Sequence, residues 1–423
     1  MKEYPIPCGQ EEIPLNIPDH VPVQWVESRK IPPVPDVKRA IEEALQNPIG
    51  TPRLRDLVRK GQSVALVVTD ITRKLPEEII LPLLVEELMG GGIRKKDMTA
   101  IVATGTHRPN TPEELKEKFG NVVDQIPFVN HDAYNARELL HLGKTEGGIP
   151  LVFNRKVVEA DIRISTGVIE THLYAGYSGG VKSIAVGVAG EETIGATHNY
   201  RMIDQTRLGV IEGNEFRSFL TEATRAIGLH FVVNVVQTGK KELVKVVAGD
   251  PVKAFHEGVE IARKLYEVEI HEPAEIVVSG VSYPKSRDLY QASRATSVVM
   301  FGPRPLVIEG GAILIPSPCE DGCGHPGYCR IMKRGKNADD VIAISREEGF
   351  AAGEQRAFIL ARVLKRARIV ITDCTLPEET LREIHLESVP TLQEAFDREI
   401  ERNPRAKVIL IPDGLLTLPI LRN

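Results

Sequence analysis

The sequence predicts an α/β protein of two α/β domains, with mainly parallel sheets and an active-site cleft between the domains. Short runs rich in Val and Ile alternate with longer stretches of helical period, the pattern of parallel strands covered by helices. The chain of 423 residues exceeds the usual length of one domain, and the strand–helix pattern restarts after residue 270. We therefore predict an N-terminal domain over residues 1–270 and a C-terminal domain over residues 271–404, with the apolar tail 405–423 as a candidate to return to the first domain.

In the N-terminal domain, buried strands are predicted from apolar runs that end in small or polar residues: SVALVVTD, MTAIVATGTH, ADIRISTGVIE and HFVVNVVQ. A helix follows the first of them in PEEIILPLLVEELMGGG and is ended by its glycines. Another helix begins in NTPEELKEKFG, where Thr111 can cap it, Pro112 suits its first turn and Glu114 completes a capping box. After the amphipathic helix KAFHEGVEIARKLYEVEI, the C-terminal domain contains the predicted strands AEIVVSGVSYP, RIVITDCT and AKVILIPDG.

Composition and charge favour a small-molecule partner. The chain is 42% hydrophobic and 26% charged, and its net charge of −5 comes from interspersed charges of both signs. Binding to nucleic acid or to a membrane surface needs clustered Lys and Arg, so we expect neither as a partner. The stretch MKEYPIPCGQEEIPLNIPDH lacks a signal-peptide core, and no run reaches transmembrane length, so the expected location is the cytoplasm.

The five cysteines are expected to be reduced thiols rather than a disulfide framework. Three of them, Cys319, Cys323 and Cys329, lie with His325 in the stretch PCEDGCGHPGYCR. Their spacing matches neither a C-x2-C pair nor a zinc ribbon, and a fourth cysteine is missing nearby. We favour a glycine-rich loop with incidental thiols over a zinc or iron–sulfur site.

Unusual polar residues follow three of the predicted strands of the N-terminal domain. Asp70 and Arg73 come after the first strand, His107 after the second, and the stretch Gly167–His172 ends the third. In open α/β sheets, ligands bind outside the carboxyl ends of the strands. The sequence therefore predicts a site at this edge of the sheet.

The stretch GYSGGVKS resembles a phosphate-binding loop without matching its spacing. In the loop G-x-x-x-x-G-K-[ST], glycines let backbone N–H groups surround a phosphate at a helix start, and the lysine reaches the outer phosphates. Here Val181 separates the last glycine from Lys182. This mismatch disfavours a nucleotide phosphohydrolase, but Ser178, Gly179 and Gly180 still have the composition of an anion cradle.

Two histidines, His172 and His198, flank this loop, and His107 precedes a capped helix. A single histidine is most often a solvated or satisfied residue. However, imidazole is also the commonest metal ligand and the commonest general base near neutral pH. Three such residues on predicted strand-end or helix-start loops indicate a site more strongly than any one of them.

Five motifs in order along the chain resemble those of the nickel-pincer nucleotide-dependent 2-hydroxyacid racemases, the lactate racemase family: TDITRKLP, ATGTHR, THLYAGYSGGVKS, GATHNY and DLYQASRA. The resemblance implies a racemase or epimerase that inverts C2 of a 2-hydroxy acid by reversible hydride transfer. It also implies a nickel-pincer nucleotide, of the pyridinium-3,5-dithiocarboxylic acid mononucleotide type, held covalently on Lys182. Soft sulfur and carbon donors together with imidazole suit nickel. Proteins that synthesise this cofactor and insert nickel are then expected partners.

The resemblance also implies a role for each matching residue. His107 and His172 correspond to the two acid–base histidines, and His198 to the nickel ligand. The remaining matches are cofactor contacts at Asp70, Ser178, Gly179, Gly180 and Tyr290, and substrate contacts at Arg73, Gln291 and Arg294. Two bases are a physical requirement, because a racemase must take the hydroxyl proton from either enantiomer.

Two departures from the lactate-specific pattern bear on the substrate. Lactate enzymes have lysine where this chain has Arg294, and a tryptophan where it has Gln355 or a neighbour; the only tryptophan here is Trp25. Arginine and lysine are not interchangeable at a carboxylate. We therefore expect a 2-hydroxy acid other than lactate, such as a malate-like diacid or a sugar acid.

Three alternatives remain open on the sequence alone. The first is a nucleotide-binding phosphohydrolase that uses the loop Gly176–Ser183. The second is a non-catalytic cofactor-binding protein. The third is a structural metal protein centred on the three clustered cysteines.

Overall fold

The computed structural model describes residues 1–351 and 353–421, which form alternating strands and helices. The strands are β1 (Lys2–Gly9), β2 (Glu11–Ile17), β3 (Val23–Trp25), β4 (Val64–Thr69), β5 (Met98–Ala103), β6 (Phe128–Asn130), β7 (Leu139–Lys144), β8 (Pro150–Asn154), β9 (Ile162–Val168), β10 (Thr171–His172), β11 (Gly176–Tyr177), β12 (Phe231–Gln237), β13 (Leu243–Gly249), β14 (Glu267–Ile270), β15 (Ala274–Ser279), β16 (Val281–Ser282), β17 (Val307–Pro316), β18 (Arg368–Thr372), β19 (Glu387–Val389), β20 (Val408–Ile411) and β21 (Leu418–Leu421).

The helices are α1 (Val37–Gln46), α2 (Leu54–Leu57), α3 (Glu77–Gly90), α4 (Pro112–Phe119), α5 (Arg155–Glu159), α6 (Gly180–Ala185), α7 (Glu191–Thr197), α8 (Tyr200–Gln205), α9 (Glu215–Ile227), α10 (Pro251–Tyr266), α11 (Leu289–Ala292), α12 (Ala295–Met300), α13 (Pro326–Arg334), α14 (Ala338–Glu348), α15 (Gln355–Leu364), α16 (Glu378–Glu383) and α17 (Leu392–Arg402). Short 3-10 turns cover Lys95–Asp97, Gly120–Asp124, Ala136–Glu138 and Lys285–Arg287.

The N-terminal unit, residues 30–198 and 211–265, is built on one sheet in the order β13-β12-β9-β4-β5-β6. All neighbouring strands in it are parallel except β12 and β13. Every residue of β4 is buried, as expected for a strand covered on both faces, and the core includes Leu66, Ile164 and Val233 together with Leu84 of α3. The capping box predicted for α4 is confirmed: Thr111 and Glu114 each accept a backbone N–H of the other.

The C-terminal unit, residues 1–29, 199–210 and the described chain from Tyr266 onward, contains a parallel sheet in the order β19-β18-β17-β15-β20-β3. A second sheet has the order β16-β1-β2, and β14 pairs with β21. Two units built on mainly parallel sheets confirm the predicted α/β class.

The division between the units differs from a single boundary at residue 270. Residues 1–29 belong to the C-terminal unit because β3 pairs with β20 and β1 pairs with β16. The described part of the tail 405–423 belongs to this same unit, where β20 pairs in parallel with β3 and β21 with β14. The chain therefore passes between the units more than once.

The cysteine prediction is wrong for one pair. Cys323 and Cys329 form a disulfide, whereas Cys8, Cys319 and Cys374 are free. The bridge is feasible because Cys329 lies in the first turns of α13, directly after the loop that carries Cys323, with a Cα–Cα distance of 6.6 Å. Within residues 1–351 and 353–421, no three His, Cys, Asp or Glu side chains are grouped so that they could hold a metal ion among themselves. In those same ranges, no helix has the length and apolar character of a membrane span.

Candidate active site

A histidine and a buried aspartate form a hydrogen-bonded pair beyond β4 and β5. Nδ1 of His107 lies 2.6 Å from Oδ2 of Asp70, which is 4% exposed. Burial by itself would raise the pKa of Asp70, but hydrogen bonds from His107 and Thr72 lower it below its ordinary value. Asp70 is thus an ionised carboxylate that accepts Nδ1–H of His107, and Nε2 of His107 is left as the proton acceptor. The sequence predicts a cofactor contact for Asp70; the structure makes it the residue that orients His107.

His172 lies in the small hairpin of β10 and β11 and has the opposite arrangement of its ring nitrogens. Its Nδ1 accepts the backbone N–H groups of Tyr174, at 3.2 Å, and Ala175, at 3.3 Å. An Nδ1 that accepts hydrogen bonds carries no proton, so the neutral ring has its proton on Nε2. Neutral His107 and His172 are therefore held in different tautomers, one with a basic Nε2 and one with an Nε2–H.

Lys182, on the short helix α6, is a cation in an unfavourable environment. No hydrogen bond or ion pair joins its ammonium group to another residue in the part of the chain that the structure describes. Burial is the main cause that lowers its pKa to about 7, and the positive charge of Arg73 adds to this against the opposing charges of Asp70 and Glu170. A substantial fraction of this amine is neutral near pH 7, which makes it a nucleophile.

His198 ends α7 and is packed among aromatic rings. Its ring lies 5.0 Å from that of Tyr174 and 5.3 Å, edge to face, from that of Phe216. Burial, and then the charge of Lys182, lowers its pKa to about 4. Nδ1 lies 3.1 Å from the carbonyl oxygen of Ile194 and can donate to it, so Nε2 carries the lone pair that a metal requires.

Arg73 is held at one end of its guanidinium group. Nη1 donates to Oε1 of Glu170, whose Oε2 is 3.6 Å from the ammonium group of Lys241. Within residues 1–351 and 353–421, no side chain or carbonyl accepts from Nε or Nη2 of Arg73. The open edge of the guanidinium group can therefore bind a carboxylate through two parallel N–H groups.

The glycine-rich turn packs closely against the sheet. The N–H of Gly180 donates to Oδ1 of Asn234 at 2.7 Å, and the hydroxyl of Ser178 donates to the carbonyl of Val168. A Cβ on Gly167 would lie 2.2 Å from the nitrogen of Gly180, so these backbones can approach only without side chains. Gly179 has a φ of 138°, which favours glycine. These contacts give Ser178, Gly179 and Gly180 a packing role, and their predicted contact with a cofactor stays a prediction.

A buried carboxylate ties the strands beneath the site together. Glu77 is fully buried and accepts from the backbone N–H of Thr69 at 2.9 Å and from the hydroxyl of Thr166 at 2.5 Å, so it joins the ends of β4 and β9. Its charge is paired with Lys118 at 3.0 Å, and Lys118 also donates to the carbonyl of Arg73. This network fixes the turn that carries Asp70 and Arg73.

Arg217, on α9, supports the hairpin that carries His172. Its Nη2 donates to the carbonyl oxygens of Ala175 and Tyr177, and its guanidinium carbon lies 4.1 Å from the ring centroid of Phe255. Burial lowers its pKa to about 10, so it remains charged at neutral pH. This residue therefore holds the hairpin through its carbonyl groups and contributes the positive charge that also disfavours protonation of Lys182.

The predicted residues of the C-terminal unit lie together on one segment. Tyr290 and Gln291 are in α11, which Asp288 caps by accepting the N–H of Gln291 at 2.8 Å. Arg294 follows, and its Nη1 donates to Oε1 of Gln291 at 3.0 Å. The buried guanidinium group of Arg356 anchors the segment by donating to the carbonyl of Ser293 and to the hydroxyl groups of Thr296 and Ser297.

Comparison with known proteins identifies the family. Residues 8–209 match the model of the lactate racemase N-terminal domain, and residues 268–418 match that of the lactate racemase C-terminal domain. The chain belongs to the lactate racemase family. This lactate racemase family member is 33% identical to the lactate racemase of Thermoanaerobacterium thermosaccharolyticum over 98% of both chains. It is 30% identical to the lactate racemase of Lactiplantibacillus plantarum, with 89% of this chain and 90% of that protein covered.

Solved structures agree with the family match. The lactate racemase apoprotein of T. thermosaccharolyticum superposes with a TM-score of 0.90, at 30% identity and with both chains fully covered. A Thermotoga maritima protein with a TM-score of 0.67 and 20% identity, covering 93% of this chain and all of that one, shares the fold. As a lactate racemase family member, the chain is an isomerase of the racemase class.

In the N-terminal unit the structure brings the predicted residues together at the ends of β4, β5 and β9. The charge of Lys182 lowers the pKa of His198, and the ring of Tyr174 packs against the rings of both His172 and His198. Sequence reasoning missed the residues that hold this set in place: Glu77, Lys118, Glu170, Arg217 and Asn234. Of these, Glu170 had a signal that could have singled it out, because it lies in the strand-end stretch Gly167–His172.

Proposed function

We propose that this lactate racemase family member inverts C2 of a 2-hydroxy acid, as a racemase or epimerase. The observation that carries the proposal is the pair of histidines held in different tautomers. Inversion requires that the hydroxyl proton is removed while C2 loses its hydrogen and is returned when the C–H bond is remade. His107, with a basic Nε2 backed by Asp70, suits proton removal, and the imidazolium that forms on it is the acid that returns the proton. His172 presents an Nε2–H that can donate a hydrogen bond to the substrate oxygen during this exchange.

We include a nickel-pincer nucleotide of the pyridinium-3,5-dithiocarboxylic acid mononucleotide type in this proposal, and two residues fit it. The unpaired amine of Lys182, with its pKa of about 7, has the nucleophilicity that a covalent thioamide tether requires. The Nε2 lone pair of His198, fixed by the hydrogen bond of Nδ1 to Ile194, suits a nickel ligand. When bound, this cofactor supplies the hydride acceptor and donor for C2.

The other residues of the N-terminal unit bind and orient the substrate. The open edge of Arg73 takes the carboxylate, and Glu170 fixes the orientation of that edge. Asp70 stabilises the imidazolium that forms on His107 after proton removal. In this arrangement, the chain provides the binding groups and the proton carriers of the reaction.

We further propose that the substrate is a 2-hydroxy acid other than lactate. Arg294, supported by Gln291, offers a fixed planar cation beside Tyr290 on the segment that corresponds to substrate contacts in the family. A guanidinium group suits a second carboxylate or a polyhydroxy chain better than it suits a methyl group. Malate-like diacids and sugar acids are the candidates.

The activity test uses protein co-expressed with the proteins that make the cofactor and insert nickel, which are its proposed partners. Enantiopure lactate, malate and sugar acids are incubated with the loaded enzyme, and the enantiomer or epimer ratio is followed by chiral chromatography. We expect malate or a sugar acid to be inverted faster than lactate, and His107→Ala or His172→Ala to abolish inversion while the cofactor stays bound. Lactate as the fastest substrate would overturn the substrate proposal, and no inversion of any 2-hydroxy acid would overturn the function.

The cofactor test is peptide mass spectrometry of the same preparation. An adduct on Lys182 that is absent from Lys182→Ala, with nickel bound in proportion, is the expected result. A phosphohydrolase would bind magnesium and a nucleoside triphosphate with no mass added to Lys182, and a non-catalytic carrier would retain its function in the histidine variants. The donation from Gly180 to Asn234 and the family assignment both argue against the phosphohydrolase.

A further inference from the structure

The disulfide of the C-terminal unit closes a short loop that contacts Tyr290. The loop runs from Cys323 to Cys329, and its members contact Tyr290 in three ways. The carbonyl of Cys323 accepts the N–H of Tyr290 at 3.1 Å. The ring of Tyr290 lies 5.6 Å from the ring of His325 and 5.8 Å from the ring of Tyr328. The disulfide-closed loop thus makes one backbone contact and two aromatic contacts with Tyr290.

Residues 319–322, which lead into this loop, are hydrogen-bonded to the segment that precedes Tyr290. The N–H of Cys319 donates to Ser286, that of Asp321 to Arg287, and that of Leu289 to Gly322, all at 2.7 to 3.0 Å. An ion pair between Arg287 and Asp321 at 2.9 Å adds to this ladder. A displacement of the loop would therefore be transmitted directly to the start of α11.

The two sulfur atoms differ in their access to solvent. Cys323 lies in the partly exposed loop, whereas Cys329 is 8% exposed on the inner face of α13. Of the free thiols, Cys8 and Cys319 are buried, and burial raises the pKa of the Cys8 thiol to about 12, whereas Cys374 is partly exposed like Cys323. Cys374 is half-buried next to Cys319, since Thr375 donates to the carbonyl of Pro318. A dissolved thiol therefore meets the bridge at Cys323.

We propose that the bridge between Cys323 and Cys329 is a reversible redox site whose state sets the position of Tyr290. In the oxidised form the loop 323–329 is fixed and holds Tyr290 in its contacts. In the reduced form residues 323–325 are no longer tied to Cys329 of α13, and the hydrogen bonds that Leu289 donates to Gly322 and Tyr290 to Cys323 open more often. The effect on catalysis rests on the proposed function, because Tyr290 matters to activity only if it contacts the cofactor or substrate.

The reductant is a dithiol, and the exchange balances. A thiolate of the dithiol attacks Sγ of Cys323, breaks the Sγ–Sγ bond and releases Cys329 as a thiolate, which takes up a proton. The second thiol of the dithiol then attacks the mixed disulfide and releases Cys323, which is protonated in turn. Two electrons and two protons reach the protein, and the reductant leaves as its own disulfide.

The first test counts thiols in the full-length protein by alkylation under denaturing conditions and mass spectrometry. Before reduction we expect three of the five cysteines to be alkylated, Cys8, Cys319 and Cys374, and after dithiothreitol treatment all five. Removal of dithiothreitol under a glutathione disulfide buffer should restore three. Alkylation of all five in protein equilibrated with that buffer would overturn the proposal.

The second test measures amide hydrogen exchange in peptides that cover residues 286–294, and it needs neither cofactor nor activity. Reduction should make the amides of Leu289 and Tyr290 exchange at least about tenfold faster, while a peptide from β15 remains unchanged. The double variant Cys323→Ser, Cys329→Ser should exchange rapidly with or without the reductant, and Cys374→Ser should respond to it like the natural chain. Unchanged exchange on reduction would overturn the proposal. An enzyme that inverts no substrate but shows this response would refute the proposed function and leave the redox site standing.

Discussion

Replacement of Asp70 by Asn should reverse the tautomer of His107. Oδ1 of Asp70 accepts both the backbone N–H and the hydroxyl of Thr72, at 3.1 and 2.6 Å. An asparagine must keep its carbonyl oxygen at this position, since an amide N–H2 group cannot accept from a backbone N–H. Its N–H2 group then faces Nδ1 of His107, which lies 2.6 Å from Oδ2 in the natural protein. Nδ1 must accept, and the proton of the neutral ring moves to Nε2.

The expected loss of rate follows from the loss of His107 as a general base. A general base contributes about 10²–10⁴ in rate, or about 3–5 kcal/mol of barrier. A His107 with its proton on Nε2 cannot accept the hydroxyl proton, so Asp70→Asn should lower kcat by about 10²–10⁴ with little change in cofactor loading. The loss should apply to both enantiomers, because the two directions share one set of proton carriers.

The assay is chiral turnover by enzyme whose Lys182 adduct has been verified by mass spectrometry, with ¹⁵N NMR of the histidine rings as an independent readout. The NMR spectrum should report Nδ1–H for His107 in the natural chain and Nε2–H in Asp70→Asn. Thr72→Val is the matched control: it removes the hydroxyl donor but keeps the backbone N–H, so the tautomer and most of the rate should remain. An Asp70→Asn enzyme with an unchanged tautomer, or with kcat within about threefold of the natural value, would refute the reasoning.

Three further predictions concern residues near the pair of Asp70 and His107. The pKa of Lys182 is lowered from 10.5 to about 7, so its protonation opposes folding. Lys182→Met should therefore raise the free energy of unfolding of the cofactor-free protein by a few kcal/mol at pH 6, at most about 5. Urea titrations should show this gain shrink as the pH rises from 7 and vanish above 10.5. Glu170→Gln should raise KM about tenfold with a smaller change in kcat, because Arg73 loses the charged group that orients it. The control Lys241→Gln should change KM little. A lower KM in Glu170→Gln would mean that Glu170 competes with the substrate carboxylate for Arg73. Arg217→Met should lower the free energy of unfolding by about 2–4 kcal/mol in thermal or urea unfolding, since it leaves the carbonyl groups of Ala175 and Tyr177 without this donor. The control Arg225→Met, on the same helix, should lower the free energy of unfolding much less.

Local sequence patterns predicted the elements of the sheet well where the signal was long and periodic. The run SVALVVTD became β4 with every residue buried, and the capping box of Thr111 and Glu114 formed as expected. The assignment of residues 1–29 could not be predicted, because β3 has only three residues and its partner β20 lies far along the chain. A strand of this length has no readable period, so only its pairing reveals where it belongs.

In the candidate site, too, the sequence did not reveal contacts between distant segments. The residues that do chemistry stand in short motifs and could be recognised, but their partners come from distant segments. Asn234, from β12, accepts the N–H of Gly180 and so fixes the glycine-rich turn from a segment more than fifty residues away. Cys323 and Cys329 pair because α13 brings the second sulfur back toward the first, which the spacing of the cysteines did not reveal.

The distribution of charge around the site separates its two tasks. His198 packs against Tyr174 and Phe216, and both it and Lys182 are half-buried. Their removal from water keeps His198 neutral at physiological pH and Lys182 partly so. Both tasks that the proposal gives them, forming a thioamide and binding a metal, require an unprotonated nitrogen. Asp70, Arg73 and Glu170 remain charged and hydrogen-bonded, as the binding of a carboxylate and the stabilisation of an imidazolium require. The two sets lie close enough to interact: Asp70 and Glu170 favour protonation of Lys182, and its removal from water outweighs them. The proposed tether therefore depends on the desolvation of this amine.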